Sequence, residues 1–184
     1  YLHLWNTSRT REDKVAIITT VCDRMHEHEL RYLIVAQKLH RTPWEVVAVI
    51  HHLEGGGNFS THLHNGDPLT ARTVHVPAGR PEHGEPPFTW EYSAVSALTD
   101  KGAQKIERWD VPTTLYFLEK YNGMGYRHHD IPSPYLWSFT WTKDGKPIYV
   151  KGKYVTDGKW NPDCVSKQIG AVALLRGLNW VPQP

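Results

Sequence analysis

Glu54 is the side chain best placed for chemistry. It stands where the most apolar stretch of the chain, Trp44 to Leu53, runs into Gly55-Gly56-Gly57. A carboxyl at a helix C-terminus faces the negative end of the helix dipole, and neighbours such as Val49, Ile50 and Leu53 strip it of water. Both effects favour the protonated form that a general acid needs near neutral pH. The glycines leave room beside it for a bulky substrate. The competing reading is a solvated residue at a helix end.

Trp90, Tyr126, Tyr135, Trp137, Trp141, Tyr149 and Tyr154 are candidates for stacking on sugar rings, because their flat faces match a pyranose while their polar edges stay wet. Tyr135, Trp137 and Trp141 are the preferred wall of a subsite, set against ordinary core packing. His62 and His64 could point the same way from a strand, and His51 and His52 lie close to Glu54. Zinc hydrolases place two His four residues apart with a Glu between, a pattern that His51-His52-Leu53-Glu54 lacks. We therefore expect no metal and no cofactor, with His62 and His64 supporting the loop by hydrogen bonds and His62 near substrate.

These groups need elements to hold them. Val15, Ile18, Val21, Cys22 and Met25 recur at helical spacing, and Leu30, Leu33, Ile34 and Leu39 continue the pattern after a break near 26–29. Thr42-Pro43 reads as a capping hydroxyl followed by Pro at the first helical position. Residues 58–88, rich in Pro, Gly, His and Asn, predict a long functional loop. Helical character returns over 89–105 and after Pro112. Residues 131–160, with turn signals at Lys143-Asp144-Gly145 and Thr156-Asp157-Gly158, predict short strands. A last helix is expected from Asn161-Pro162 to Leu178, burying Val165, Ile169, Val172, Ala173 and Leu175.

Three stretches carry a family resemblance. His51-His52-Leu53-Glu54-Gly55-Gly56-Gly57-Asn58-Phe59 resembles the segment of soluble lytic transglycosylases and goose-type lysozymes in which a catalytic Glu ends a buried helix. Leu118-Glu119-Lys120-Tyr121-Asn122-Gly123-Met124-Gly125 is similar to the Tyr-Asn-Ala-Gly signature of the same superfamily. Ser133-Pro134-Tyr135-Leu136-Trp137-Ser138, with Gly152-Lys153-Tyr154-Val155 and Asp157-Gly158, resembles the C-terminal part of phage and bacterial muramidases. The matches span roughly residues 43–178. Gly55 departs from the transglycosylase pattern, which has Ser after the Glu.

The resemblance implies a mainly α (α+β) lysozyme-like domain with a small β or loop subdomain forming a substrate cleft. It makes Glu54 the acid that protonates a leaving glycosidic oxygen, with Tyr121 and Asn122 near it. The bond implied is the β-1,4 link from N-acetylmuramic acid to N-acetylglucosamine in peptidoglycan. Asp67, in His64-Asn65-Gly66-Asp67-Pro68, occupies a place similar to that of the acidic residue with which goose-type lysozymes hold the attacking water. Paired carboxyls at roughly 6.5–9.5 Å suit inversion. Asn65-Gly66-Asp67-Pro68 is also a good turn in which Asp67 ties up backbone amides. Glu82, Glu85 and Asp130 are weaker candidates. Hydrolysis through Asp67 would leave the substrate's acetamido group dispensable, so de-N-acetylated glycan would be cut. A lytic transglycosylase would instead use that group and the 6-hydroxyl to leave a 1,6-anhydro end. A non-catalytic carbohydrate-binding module would account for the aromatics but not for Glu54.

Composition bounds these readings. The 184 residues, 40% hydrophobic and 22% charged, suit one domain, with residues 1–42 expected as helices on its core. The 8 Trp, 9 Tyr and 4 Phe argue against disorder, and the net charge of +2 argues against a dedicated nucleic-acid binder. No apolar run approaches the roughly 20 residues of a membrane span. The 12 His would add positive charge toward an anionic wall at mildly acidic pH. We expect a monomer acting outside the cytoplasm, whether secreted, periplasmic or phage-delivered, with any targeting segment lying outside this sequence. Cys22 and Cys164 are read either as one disulfide or as two thiols.

Overall fold

The computed structural model describes residues 1–155 and 158–184; Thr156 and Asp157, and with them the predicted Thr156-Asp157-Gly158 turn, lie outside the described residues. The elements in chain order are α1 (Leu2–Thr7), β1 (Ser8–Thr10), α2 (Val15–Glu27), α3 (Glu29–Lys38), α4 (Trp44–Gly55), α5 (Trp90–Asp100), α6 (Val111–Asn122), α7 (Pro134–Trp137), β2 (Thr140–Thr142), β3 (Lys153–Tyr154), β4 (Trp160–Asn161) and α8 (Ala171–Gly177). The fold is mainly α. Its strands form only two small antiparallel ribbons among the described residues, β1 with β2 and β3 with β4.

The chain divides into two compact units: a central one, Arg24–Trp109, and a terminal one built from Tyr1–Asp23 and Asp110–Pro184. In the central unit α4 is the core. Val46 to Ile50 are fully buried because nearly every side chain of that run is apolar, which suits a helix covered on most faces. Pro43, and not Thr42, is its N-cap; the Thr42 hydroxyl donates instead to the Leu39 carbonyl at 3.1 Å. The helix takes in Gly55 and ends on Gly56, whose φ of +60° lets its N–H bond the His52 carbonyl at 2.9 Å.

The expected break between the first two long helices falls at His28. Ile18, Cys22 and Met25 are buried as the spacing predicts, but Val15 is exposed. In α3 the expected stripe is out of phase: Leu30 and Ile34 face solvent, and Tyr32, Val35 and Ala36 go inward with Leu39. A helix break of one residue resets the helical phase, so periodicity carried across it points to the wrong face.

Helix α5 is shorter than 89–105. Thr89 caps it by accepting from the Tyr92 N–H at 3.2 Å, and Gly102, at φ +86°, separates it from a 3-10 turn at Ala103–Lys105. Asp110 caps α6 through the Thr113 N–H at 2.9 Å. The expected helix from Asn161 is mostly absent. Asn161 Oδ1 accepts from the Asp163 and Cys164 amides at 3.0 and 3.2 Å, a side-chain turn that competes with helix, and Val165 is exposed. Helix α8 begins only after Gly170, with Val172, Ala173 and Leu175 buried as expected.

Candidate functional site

The predicted residues are divided between the units: Glu54, His62 and Asp67 in the central one, and Tyr121, Asn122, Tyr135, Trp137 and Trp141 in the terminal one.

Glu54 lies on the last turn of α4 and lines a small cavity of about 120 Å³ together with His51, His62 and His64. The helix end is where the sequence places it, but the expected burial is not, because Glu54 is exposed. Val49 and Leu53 turn into the core on other faces of α4, and Ile50, one turn before Glu54, is itself fully buried, so the burial of these side chains does not extend to the carboxyl.

His51, one helical turn before Glu54 and so on the same side of α4, is buried. Its Nδ1 shares a 3.1 Å hydrogen bond with the Tyr32 hydroxyl, and its ring meets Phe59 at 4.5 Å and Trp90 at 4.4 Å between centroids. The Arg31 guanidinium, paired with Glu91 at 2.5 Å, covers Phe59 at 3.9 Å. Burial pushes His51 down to about 4, against a weaker opposing pull from the Asn58 backbone. The sequence signal for this residue was its spacing from Glu54.

His62 is fully engaged. Its Nε2–H donates to the Ala71 carbonyl at 2.8 Å, and its Nδ1 accepts from the Ser93 hydroxyl at 2.7 Å. It therefore ties the 58–88 loop to α5, which is the support role expected of it, and has no ring nitrogen left for a substrate. The His64 side chain is 2% exposed. Its Nε2 faces Ser96 Oγ at 3.3 Å and Asp100 Oδ2 at 3.7 Å, while its Nδ1 is buried without a partner. Burial holds His64 at about 4, more than the nearby Asp100 carboxylate restores.

Asp67 takes the turn role. One oxygen accepts from the Val74 and His75 amides at 2.8 and 3.0 Å and from Asn65 Nδ2 at 3.1 Å; the other meets His75 Nδ1 at 2.6 Å. These bonds, the His75 amide foremost, hold its carboxyl far below the ordinary carboxylate range. A carboxylate so stabilised is a poor base. Glu82 and Glu85 pair with Arg80 and Arg72, and Asp130 sits at a left-handed turn of φ +52°.

In the terminal unit, Asn122 and Tyr135 line a cavity of about 340 Å³ with Tyr126, Tyr154 and Lys153. Gly125 makes room for the Tyr154 ring, since a Cβ there would stand 2.9 Å from it. Tyr121 packs edge-on to Phe117 at 6.2 Å. Trp137 is buried, and Trp141 lies under the Arg9 and Arg11 guanidiniums at 5.8 and 5.2 Å, so the three-residue aromatic wall is divided among separate environments. In the sequence Lys153 reads only as part of the Gly152-Lys153-Tyr154-Val155 stretch and not as a lining residue; no ion pair joins it to another described residue.

Among the described residues no group of three or more His, Cys, Asp or Glu could hold a metal ion, and no helix is long and apolar enough to cross a membrane. Comparison of the chain with models of known families, with curated proteins and with solved structures finds no match.

Proposed function

We propose that the protein is a lysozyme-like muramidase that cleaves the β-1,4 bond between N-acetylmuramic acid and N-acetylglucosamine in peptidoglycan, with Glu54 as the general acid. The observation that carries the reading is the position of Glu54: an accessible carboxyl at the C-terminus of the central buried helix, opening on a polar cavity next to two buried neutral imidazoles. An exposed carboxyl is a useful acid only once water is displaced. A glycan strand lying over Glu54 supplies that desolvation at the moment of reaction. The tyrosine-lined cavity of the terminal unit offers rings and amides of the kind that hold pyranoses. Secretion or delivery to the wall follows from such a substrate.

One observation favours the second route. The Asp67 carboxylate is saturated with hydrogen bonds, and lytic transglycosylation needs no second carboxylate. Mass spectrometry of digested peptidoglycan separates the two, because a 1,6-anhydro product lacks one water. Reducing ends on native strands are the outcome expected of the hydrolase, and 1,6-anhydro ends that of the transglycosylase. Glu54→Gln should remove cleavage, by about 10² to 10⁴-fold, while leaving the thermal unfolding curve in place. Cleavage that persists in this variant rejects the assignment of Glu54.

A further inference from the structure

The cavity of the terminal unit has walls fixed from three separate segments. The Tyr154 hydroxyl donates to the Gly125 carbonyl at 3.2 Å and accepts from His129 Nε2 at 3.1 Å. The Tyr149 hydroxyl donates to the Gly152 carbonyl at 3.0 Å and accepts from the Ser166 amide at 3.0 Å, so the strand carrying Lys153 and Tyr154 is tied to Ser166. The Tyr126 hydroxyl is held by the Tyr154 backbone. A volume of about 340 Å³ is at the small end of ligand cavities, roughly 300–1,000 Å³, and suits one sugar residue.

With those hydroxyls occupied, recognition falls to two other lining side chains. Lys153 is half-buried and Asn122 is exposed at the end of α6, and neither side chain makes a hydrogen bond or ion pair with another described residue. Lys153 is also the one charged residue among those that line the cavity, with no carboxylate to balance it. A half-buried ammonium has given up part of its hydration and offers three donors and no acceptor, so it favours an anion. The Asn122 amide can both donate and accept, as the hydroxyl and acetamido substituents of a sugar require.

We propose that this cavity binds N-acetylmuramic acid through its free lactyl carboxylate, with Lys153 as the counter-ion and Asn122 bonding the ring substituents. The choice of sugar rests on the muramidase reading; the preference for a carboxylate rests on Lys153. A stem peptide converts the lactyl carboxyl into an amide and removes its charge. The protein should therefore favour glycan strands from which the stem peptides have been cut, and the reaction that supplies its substrate is hydrolysis of the bond between lactate and the first amino acid.

The test uses the full chain as Glu54→Gln, so that ligands stay intact, and a tetrasaccharide of alternating N-acetylglucosamine and N-acetylmuramic acid in three forms: free lactyl acid, primary lactyl amide and stem-peptide-bearing. Calorimetry should find the free acid at least about tenfold tighter than the other two, and adding Lys153→Gln should erase the difference. Equal affinity for acid and amide overturns the proposal. So does a stem-bearing form as tight as the free acid, which would place the carboxylate on the peptide, or a loss in Lys153→Gln that is the same for all three. With Lys153 intact, the free acid should shift the ¹⁵N–¹H signals of Asn122, Gly125 and Tyr154, and unshifted signals overturn the proposal whether or not the Lys153 variant folds. Cleavage of peptidoglycan by the unsubstituted protein together with equal affinity for acid and amide rejects only this inference, whereas absence of cleavage rejects the reading beneath it.

Discussion

His51 and His64 tie pH to stability. Each has an ordinary value of 6.5 and is held at about 4 in the folded chain, so between those limits the unfolded chain binds protons that the native one does not. Their contribution is complete above about pH 6.5 and is lost as pH falls toward 4, on the order of 2 kcal/mol for each imidazole. Thermal unfolding followed from pH 7 to 4.5 should show Tm falling, and His64→Asn should flatten the slope. A Tm independent of pH over this range rejects the buried neutral state. Asp67, whose carboxyl is depressed, acts lower on the scale: its support of the loop is present above about pH 4 and fades only as pH drops further. Glu54 itself was legible in the sequence, because an acid between an apolar run and three glycines is conspicuous. Its exposure was not, since burial depends on which face of α4 meets the rest of the central unit. The two readings of Asp67 differ in whether Val74 and His75 fold back onto it, a contact of 7 and 8 residues' separation inside an irregular loop.

At the level of elements, glycines set where helices can pack. A Cβ on Gly170 would stand 2.6 Å from the Leu136 and Ser138 carbonyl oxygens and 2.7 Å from the Ser138 nitrogen. All three are backbone atoms and cannot swing aside. Gly170→Ala should therefore force α7 and α8 apart and cost about 1–3 kcal/mol or more in chemical denaturation. An unchanged midpoint would show that the two helices pack more loosely than this. Helices with strong local signals were placed well from sequence: α4 by its apolar run, and α6 by Pro112 at its start. Elements depending on distant partners were not. Strand β1 exists because Ser8–Thr10 pairs with Thr140–Thr142, more than a hundred residues away, and no local pattern in Ser8-Arg9-Thr10 announces it. The helix expected from Asn161 gave way to a side-chain turn whose competition with helix is settled only by what surrounds it.

At the scale of the whole molecule, the chain forms two compact units, and the terminal one closes by bringing the first 23 residues together with those after 109. Cys22 and Cys164 both lie in it, and both are free thiols. Cys22 is buried against Ile18 and Gly177, its thiol pushed up to about 11 by desolvation, while Cys164 is partly exposed. Thiol labelling of the native protein should modify Cys164 alone, and denaturant should release Cys22. Two blocked thiols restored by reductant would show the disulfide instead. Composition bounded the class of molecule, and periodicity placed most of the helices, because both depend on neighbours within a few turns. The short motifs around Glu54, Tyr121 and Tyr135 pointed to a chemistry for the same reason. Tertiary structure decided which imidazole nitrogens are left without partners, which carboxylate is occupied by amides, and which aromatics are core. Those properties are sums over atoms that the chain brings together from far apart, and no single segment of the sequence contains them.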